Sequence, residues 1–164
     1  MTGVQVSGEL EGLDELMRRF RRAPERFEGY MRRFFGKALP VVEREVKVRT
    51  PVNTGALRSS VGFEIEGAGA RMQGIVGTPK DYAPFVELDT RPHWPPFIPI
   101  AYWVHRKLRV AGELHYAVTR AIQRKIARFG TKGKHMFETA FEETRERVGD
   151  LWSDVWGEAV VKEL

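Results

Sequence analysis

Apolar residues recur at helical spacing along most of the chain and at alternating spacing in one short stretch near its middle. Leu10, Leu13, Leu16, Met17 and Phe20 step by threes and fours, and Arg18, Arg19, Arg21 and Arg22 close that turn, where cations favour the helix dipole. Past Pro24, the stripe Phe27, Met31, Phe34, Ala38, Val41 predicts a longer helix, with a kink or break near Gly36–Ala38 because Pro40 sits inside it. The run Thr50-Pro51-Val52-Asn53-Thr54-Gly55-Ala56-Leu57 then ends the helix. Pro51 biases Thr50 away from helical angles, Gly55 admits angles closed to other residues, and Asn53 and Thr54 are suited to bond nearby backbone groups. Beyond the turn, Val61, Phe63 and Ile65 alternate, so 61–66 and 71–77 predict an antiparallel hairpin through Gly67 and Gly69. Val4 and Val6 alternate as well and predict a short strand that extends it.

Tyr82–Leu88 predicts a turn or two of helix, and the proline-rich run from Arg91 to Pro99 an extended loop whose Trp94 and Phe97 need burial on the domain or on a partner. Helix resumes over about 100–108 and 114–129. In the second of these, Leu114, Val118, Ala121, Ile122, Ile126 and Phe129 mark one face and Arg120, Arg124, Lys125 and Arg128 the other. Phe137, Phe141, Thr144, Val148, Leu151 and Val155 form the longest regular stripe, with Trp152 and Trp156 beside it. The pattern predicts an α+β fold in a single domain over 1–164: a small antiparallel sheet packed against several helices, with a long C-terminal helix.

Composition narrows what such a domain can be. Of 164 residues, 42% are hydrophobic and 30% charged, and no apolar run approaches the ~20 residues that a membrane helix needs. Met1 is followed by polar and charged residues, which predicts no secretory signal. With no cysteine, thiol catalysis and cysteine metal sites are excluded. The net charge of +5 is a block rather than an average: residues 105–135 carry nine Lys/Arg against one Asp/Glu, and residues 136–164 three against eight. Adjacent blocks of opposite sign suit subunit contacts at least as well as a polyanion.

No catalytic constellation accompanies them. His93, His105, His115 and His135 lack metal-ligand spacing, Ser59 and Ser60 lack a nucleophile elbow, and the glycines at 67, 69, 74 and 77 form no phosphate loop. Asp81, Glu87 and Asp89 suit caps and salt bridges better than acid–base work.

Taken together, Thr50-Pro51-Val52-Asn53-Thr54-Gly55-Ala56-Leu57-Arg58-Ser59-Ser60, the two strands, Tyr82-Ala83 with Phe85-Val86-Glu87, Asp89-Thr90, and Arg91-Pro92-His93 resemble the phage head–tail joining and tail-completion family, whose type member is the gene-ten product of a lambda-like coliphage. Phe129-Gly130-Thr131 and His135-Met136-Phe137 resemble its closing segment. The family commonly reads Glu-Phe-Gly-Thr where this chain has Glu87-Leu88-Asp89-Thr90. The resemblance implies a core over about 25–90 and 129–164, with about 97–128 a helical insertion found in part of the family. It further implies a structural protein of the phage neck, without catalytic residues, cofactors or metal, assembled in the host cytoplasm into the virion. Its partners would be copies of itself in a hexameric or dodecameric ring, head-closure or connector proteins, and a tail terminator or tail tube protein, with DNA passing the lumen. The candidate subunit-interface residues are Trp94, Phe97, Trp152, Trp156, Arg120, Arg124 and Arg128. The competing expectation is a non-specific nucleic-acid-binding module, for which the basic 105–135 block would hold phosphates.

Overall fold

A computed structural model describes residues 13–163. Leu10 and the strand expected at Val4–Val6 lie outside them. The chain runs as helices α1 (Leu13–Arg22), α2 (Pro24–Arg49) and α3 (Ala56–Ser60), then strands β1 (Gly62–Glu66) and β2 (Gln73–Gly77). Helices α4 (Ala83–Glu87), α5 (Phe97–Trp103), α6 (Glu113–Phe129) and α7 (Met136–Glu163) follow. It is an α+β fold whose sheet, among the described residues, is the antiparallel β1–β2 pair. Two units form: one from the chain up to Val41, Phe63–Ile75 and the chain from Arg145, the other from Val42–Gly62 and Val76–Thr144.

The first unit is organised by aromatic rings. Phe20 meets Phe27 and Trp156 at ring-centre distances of 5.5 and 5.7 Å, both edge-on, and Phe34 meets Trp152 edge-on at 5.0 Å. These are the separations at which ring quadrupoles attract. Phe34, Ala38 and Val155 are buried together, with Tyr30, Val148 and Leu151 packed around them. Strand β2 lies close on α2: a Cβ added at Gly74 would stand 2.6 Å from the Phe35 ring, so only glycine permits that approach. Two ion pairs tie α2 to the end of α7. Arg33 grips both oxygens of Glu158, and the Glu163 carboxylate accepts from Arg26 at 2.7 Å and from the Tyr30 hydroxyl at 3.2 Å, while Arg19 donates to its carbonyl. The Arg26 hydrogen bond holds the Glu163 carboxyl below the ordinary carboxylate range, and burial pushes the Tyr30 phenol up.

Of the kink or break expected at Pro40, the break does not occur: α2 runs on from Pro24 to Arg49. Proline removes one donor and crowds the carbonyl four residues back, but that carbonyl belongs to Gly36. Both residues are exposed, so the freed oxygen meets water.

In the second unit, Thr50 closes α2 with its hydroxyl on the Val46 carbonyl at 2.7 Å, and Arg58 donates to the Thr50 carbonyl at 3.0 Å. Gly55 takes φ 88°, the left-handed angle that made glycine the residue to expect there. Thr54 accepts from the Ala56 amide at 3.3 Å, but Asn53 Oδ1 is buried without a partner among the described residues, contrary to the backbone bond expected of it. Helix α5 starts at Phe97, inside the run expected to be a loop. Pro96 precedes it and Pro99 lies in its first turn, where backbone amides have no helical acceptor to lose.

Candidate functional site

Two features of the second unit bear on function: a backbone junction that anchors the stretch from 91 to 130, and the surface that this stretch presents. At the junction, the Thr90 amide donates to the Thr131 carbonyl at 2.9 Å, Lys134 to Val86 at 2.8 Å and His135 to Glu87 at 3.0 Å. The Glu87 carboxylate accepts from the Phe137 and Glu138 amides at 3.1 Å, capping α7 where the helix dipole is positive. Asp89 stands without strain where the resemblance implies a glycine. Its φ is not positive, and its Oδ1 accepts from the Gly133 amide at 2.7 Å, a bond glycine could not make. Glu87 is thus the helix cap its setting suggested, whereas Asp89 ties two loops together.

On the surface, Arg120 lies over two rings, 5.6 Å from the centre of Trp94 and 5.8 Å from that of Tyr116, and Tyr116 in turn packs on Phe97 at 5.5 Å. Arg120 Nη1 donates to Gln123 Oε1 at 3.1 Å, and Gln123 Nε2 to the Pro95 carbonyl at 2.8 Å, which fastens the proline-rich run to α6. Trp94 and Tyr116 nonetheless remain 56% and 59% exposed. The structure therefore brings together three of the expected interface residues, Trp94, Phe97 and Arg120. Arg124 and Arg128 continue along α6, both exposed, with Arg128 over the Phe129 ring at 5.1 Å. Trp152 and Trp156 meet at a tilt, ring centres 5.1 Å apart, within the aromatic packing of the first unit.

The buried side of α6 differs from the one its apolar stripe predicts. Thr119 and Gln123 are its buried residues, whereas Leu114 and Phe129 are exposed. Polar groups can occupy that seam because they are satisfied: the Thr119 hydroxyl donates to the His115 carbonyl at 2.7 Å and Gln123 has Pro95 and Arg120. Tyr116 and Gln123 went unremarked in the sequence, although their spacing of four and three residues from Arg120 on one helix was the available signal.

Glu87, His93, His115 and His135 are taken up by structural contacts. A cleft of about 550 Å³ is lined by the Val76–Asp81 turn, α4 and Phe137, but its Glu87 is committed to the α7 cap. His93 bonds the Arg91 carbonyl, His115 the Ala101 carbonyl and His135 the Glu138 carboxylate. Among the described residues no group of three His, Asp or Glu could hold a metal, and no helix is long and apolar enough to cross a membrane.

Comparison with known proteins bears on the first part of the chain. Residues 14–88 match the family model described as "Bacteriophage HK97-gp10, putative tail-component". This segment is gp10-like. The resemblance carried by the Thr50–Ser60 turn and the Tyr82–Glu87 block therefore holds, and the family is one of structural phage tail components. The gp10-like segment ends just short of Thr90, so the Trp94–Arg120–Tyr116 surface lies beyond it. No curated protein and no solved structure matches the chain.

Proposed function

We propose that the protein is a structural subunit of the neck of a long-tailed phage, assembled as a ring that joins the head connector to the tail. The gp10-like segment carries this reading, since its family consists of tail components. The exposed aromatic and cationic surface of the second unit supports a role in assembly, because tryptophan, tyrosine and arginine are the residues that most often anchor protein interfaces. The ring, hexameric or dodecameric, sits in the virion between head-closure or connector proteins and a tail terminator or tube, and DNA passes its lumen. It assembles in the host cytoplasm and turns over no substrate.

Micrographs of neck particles isolated from virions test the reading: this chain should form a closed ring at the head–tail boundary. Its absence from the particle, or its presence only as single copies, would overturn the reading, as would reproducible hydrolase or nuclease turnover abolished by changing one histidine. The exposed Arg124 and Arg128 favour a second reading, a nucleic-acid module. For it, an isolated monomer would bind DNA at physiological salt with an affinity that falls steeply as salt rises, and neutralising each arginine would lower that slope by about one.

A further inference from the structure

Helices α6 and α7 carry charge rows of equal pitch and opposite sign. On α6, Arg120, Arg124 and Arg128 follow at four-residue steps, and on α7 Glu146, Asp150 and Asp154 do the same. Four residues advance a helix by about 6 Å and overshoot one revolution by about 40°, so each trio forms an inclined ridge. The acidic ridge points away from the buried Val155 and Ala159 of α7, and the basic ridge runs from half-exposed Arg120, beside buried Thr119 and Gln123, to exposed Arg124 and Arg128. Arg124, Arg128, Glu146, Asp150 and Asp154 are exposed, and none has an ion-pair partner among the described residues. Like charges four residues apart work against their own helix, and only cations from outside the acidic row relieve it.

We infer that the α6 surface receives helix α7 of a second copy of this chain, with Arg120, Arg124 and Arg128 lying along Asp154, Asp150 and Glu146. The inference rests on the ring reading and supplies its joint. Ridges of this class run parallel when the helices cross at about −50°, the commonest packing angle in globular proteins. Arg120 is prepared for a carboxylate: two aromatic faces and Gln123 hold its guanidinium, so little side-chain freedom is left to lose. Apolar groups fix the direction. Val161, 82% exposed, lies two turns beyond Asp154 on the same face of α7, and exposed Trp94 and Tyr116 flank the N-terminal end of the basic row. Antiparallel helices bring these together. A nucleic acid would satisfy the arginines but would leave the acidic row, its equal pitch and Val161 unaccounted for. The two faces differ, so each copy offers one to either neighbour; the contact is head-to-tail, the kind a ring is built from, and does not stop at a dimer.

The test uses two full-length variants, R124E/R128E and E146R/D150R, which spare the Arg120 cluster and the aromatic core, with circular dichroism as the fold control. In sedimentation each variant alone should self-associate on the order of 100-fold more weakly than wild type, since a reversal replaces attraction with repulsion at every joint. An equal mixture should recover assembly, in alternating order, because each variant's reversed face complements the other's. Variants that assemble like wild type, or a mixture that stays dissociated, would overturn the inference and leave the ring reading intact. A wild-type chain that is monomeric at its highest soluble concentration would also overturn it, while neck particles still decide the ring. Loss of duplex DNA binding by R124E/R128E, with unaltered assembly of E146R/D150R, would make the occupant a polyanion and not a second copy. If either double variant fails to fold, R124Q/R128Q and E146Q/D150Q replace them, and the salt dependence of self-association must then flatten in both.

Discussion

The two units treat their aromatic residues in opposite ways. In the first, Phe20, Phe27, Phe34, Trp152 and Trp156 meet one another, and each ring finds its partner inside the chain. In the second, Trp94 and Tyr116 pack against a cation, and Leu114 and Phe129 at the two ends of α6 stand in solvent. Burial of an aromatic side chain is the largest single contribution a residue makes to a small core, so the first arrangement stabilises the fold. Leaving the same groups exposed forgoes that contribution unless something outside the chain covers them.

The sharpest way to break this contrast is truncation on both sides of it. Phe34→Ala should lower unfolding stability by about 3–5 kcal/mol, because it opens a cavity between α2 and α7, whereas Trp94→Ala should cost under about 1 kcal/mol and show its effect in assembly instead. Denaturant midpoints at unchanged slope would measure both, and equal losses would erase the distinction. Next in size is Gln123→Ala, which leaves the buried Pro95 carbonyl without its donor. A loss of about 1–3 kcal/mol is expected, with a change in Trp94 fluorescence as the proline-rich run loosens. Glu87→Gln weakens the α7 cap and should cost about 1 kcal/mol, with faster amide exchange at Phe137 and Glu138 as the local readout. Unchanged exchange there would remove Glu87 from the junction.

The smallest effect sharpens the first unit alone. Hydrogen bonding to Arg26 holds the Glu163 carboxyl below its ordinary value of 4.5. A depressed folded value means that its stabilising share is present above 4.5 and is lost as pH falls below it through the folded value. Acid titration of stability should therefore be shallower in Glu163→Gln than in wild type over that window, and coincident curves would show that the pair contributes nothing.

Much of the fold was legible because local chemistry and global structure agree. Pro51 and Gly55 end α2, the change from helical to alternating spacing announces the β1–β2 hairpin, and the stripe ending at Val155 gives α7. The misreadings share one cause: neighbours decided what composition could not. Pro40 is harmless because Gly36 and solvent face it, Pro99 because it falls in the first turn of α5, and Gln123 is buried because Pro95 and Arg120 satisfy it. The candidate surface was half legible. Its aromatic and basic members stood out as residue types, but the stacking of Trp94 on Arg120 joins positions distant in the chain, and no local pattern reports that.

The Thr90–Thr131 bridge has a consequence for how this chain can vary. Residues paired across such a bridge stand about 5 Å apart, a gap that a tight hairpin turn closes. Everything from Arg91 to Gly130 therefore enters and leaves through one doorway. A lineage, or an experimenter, can exchange that cassette for a longer, shorter or differently charged one while the pegs on either side, Glu87 and Asp89 against Gly133 to Glu138, stay in place. Changes of partner can then accumulate in a region that lies outside the gp10-like segment in sequence and meets its turn at Pro51–Leu57 through Trp103.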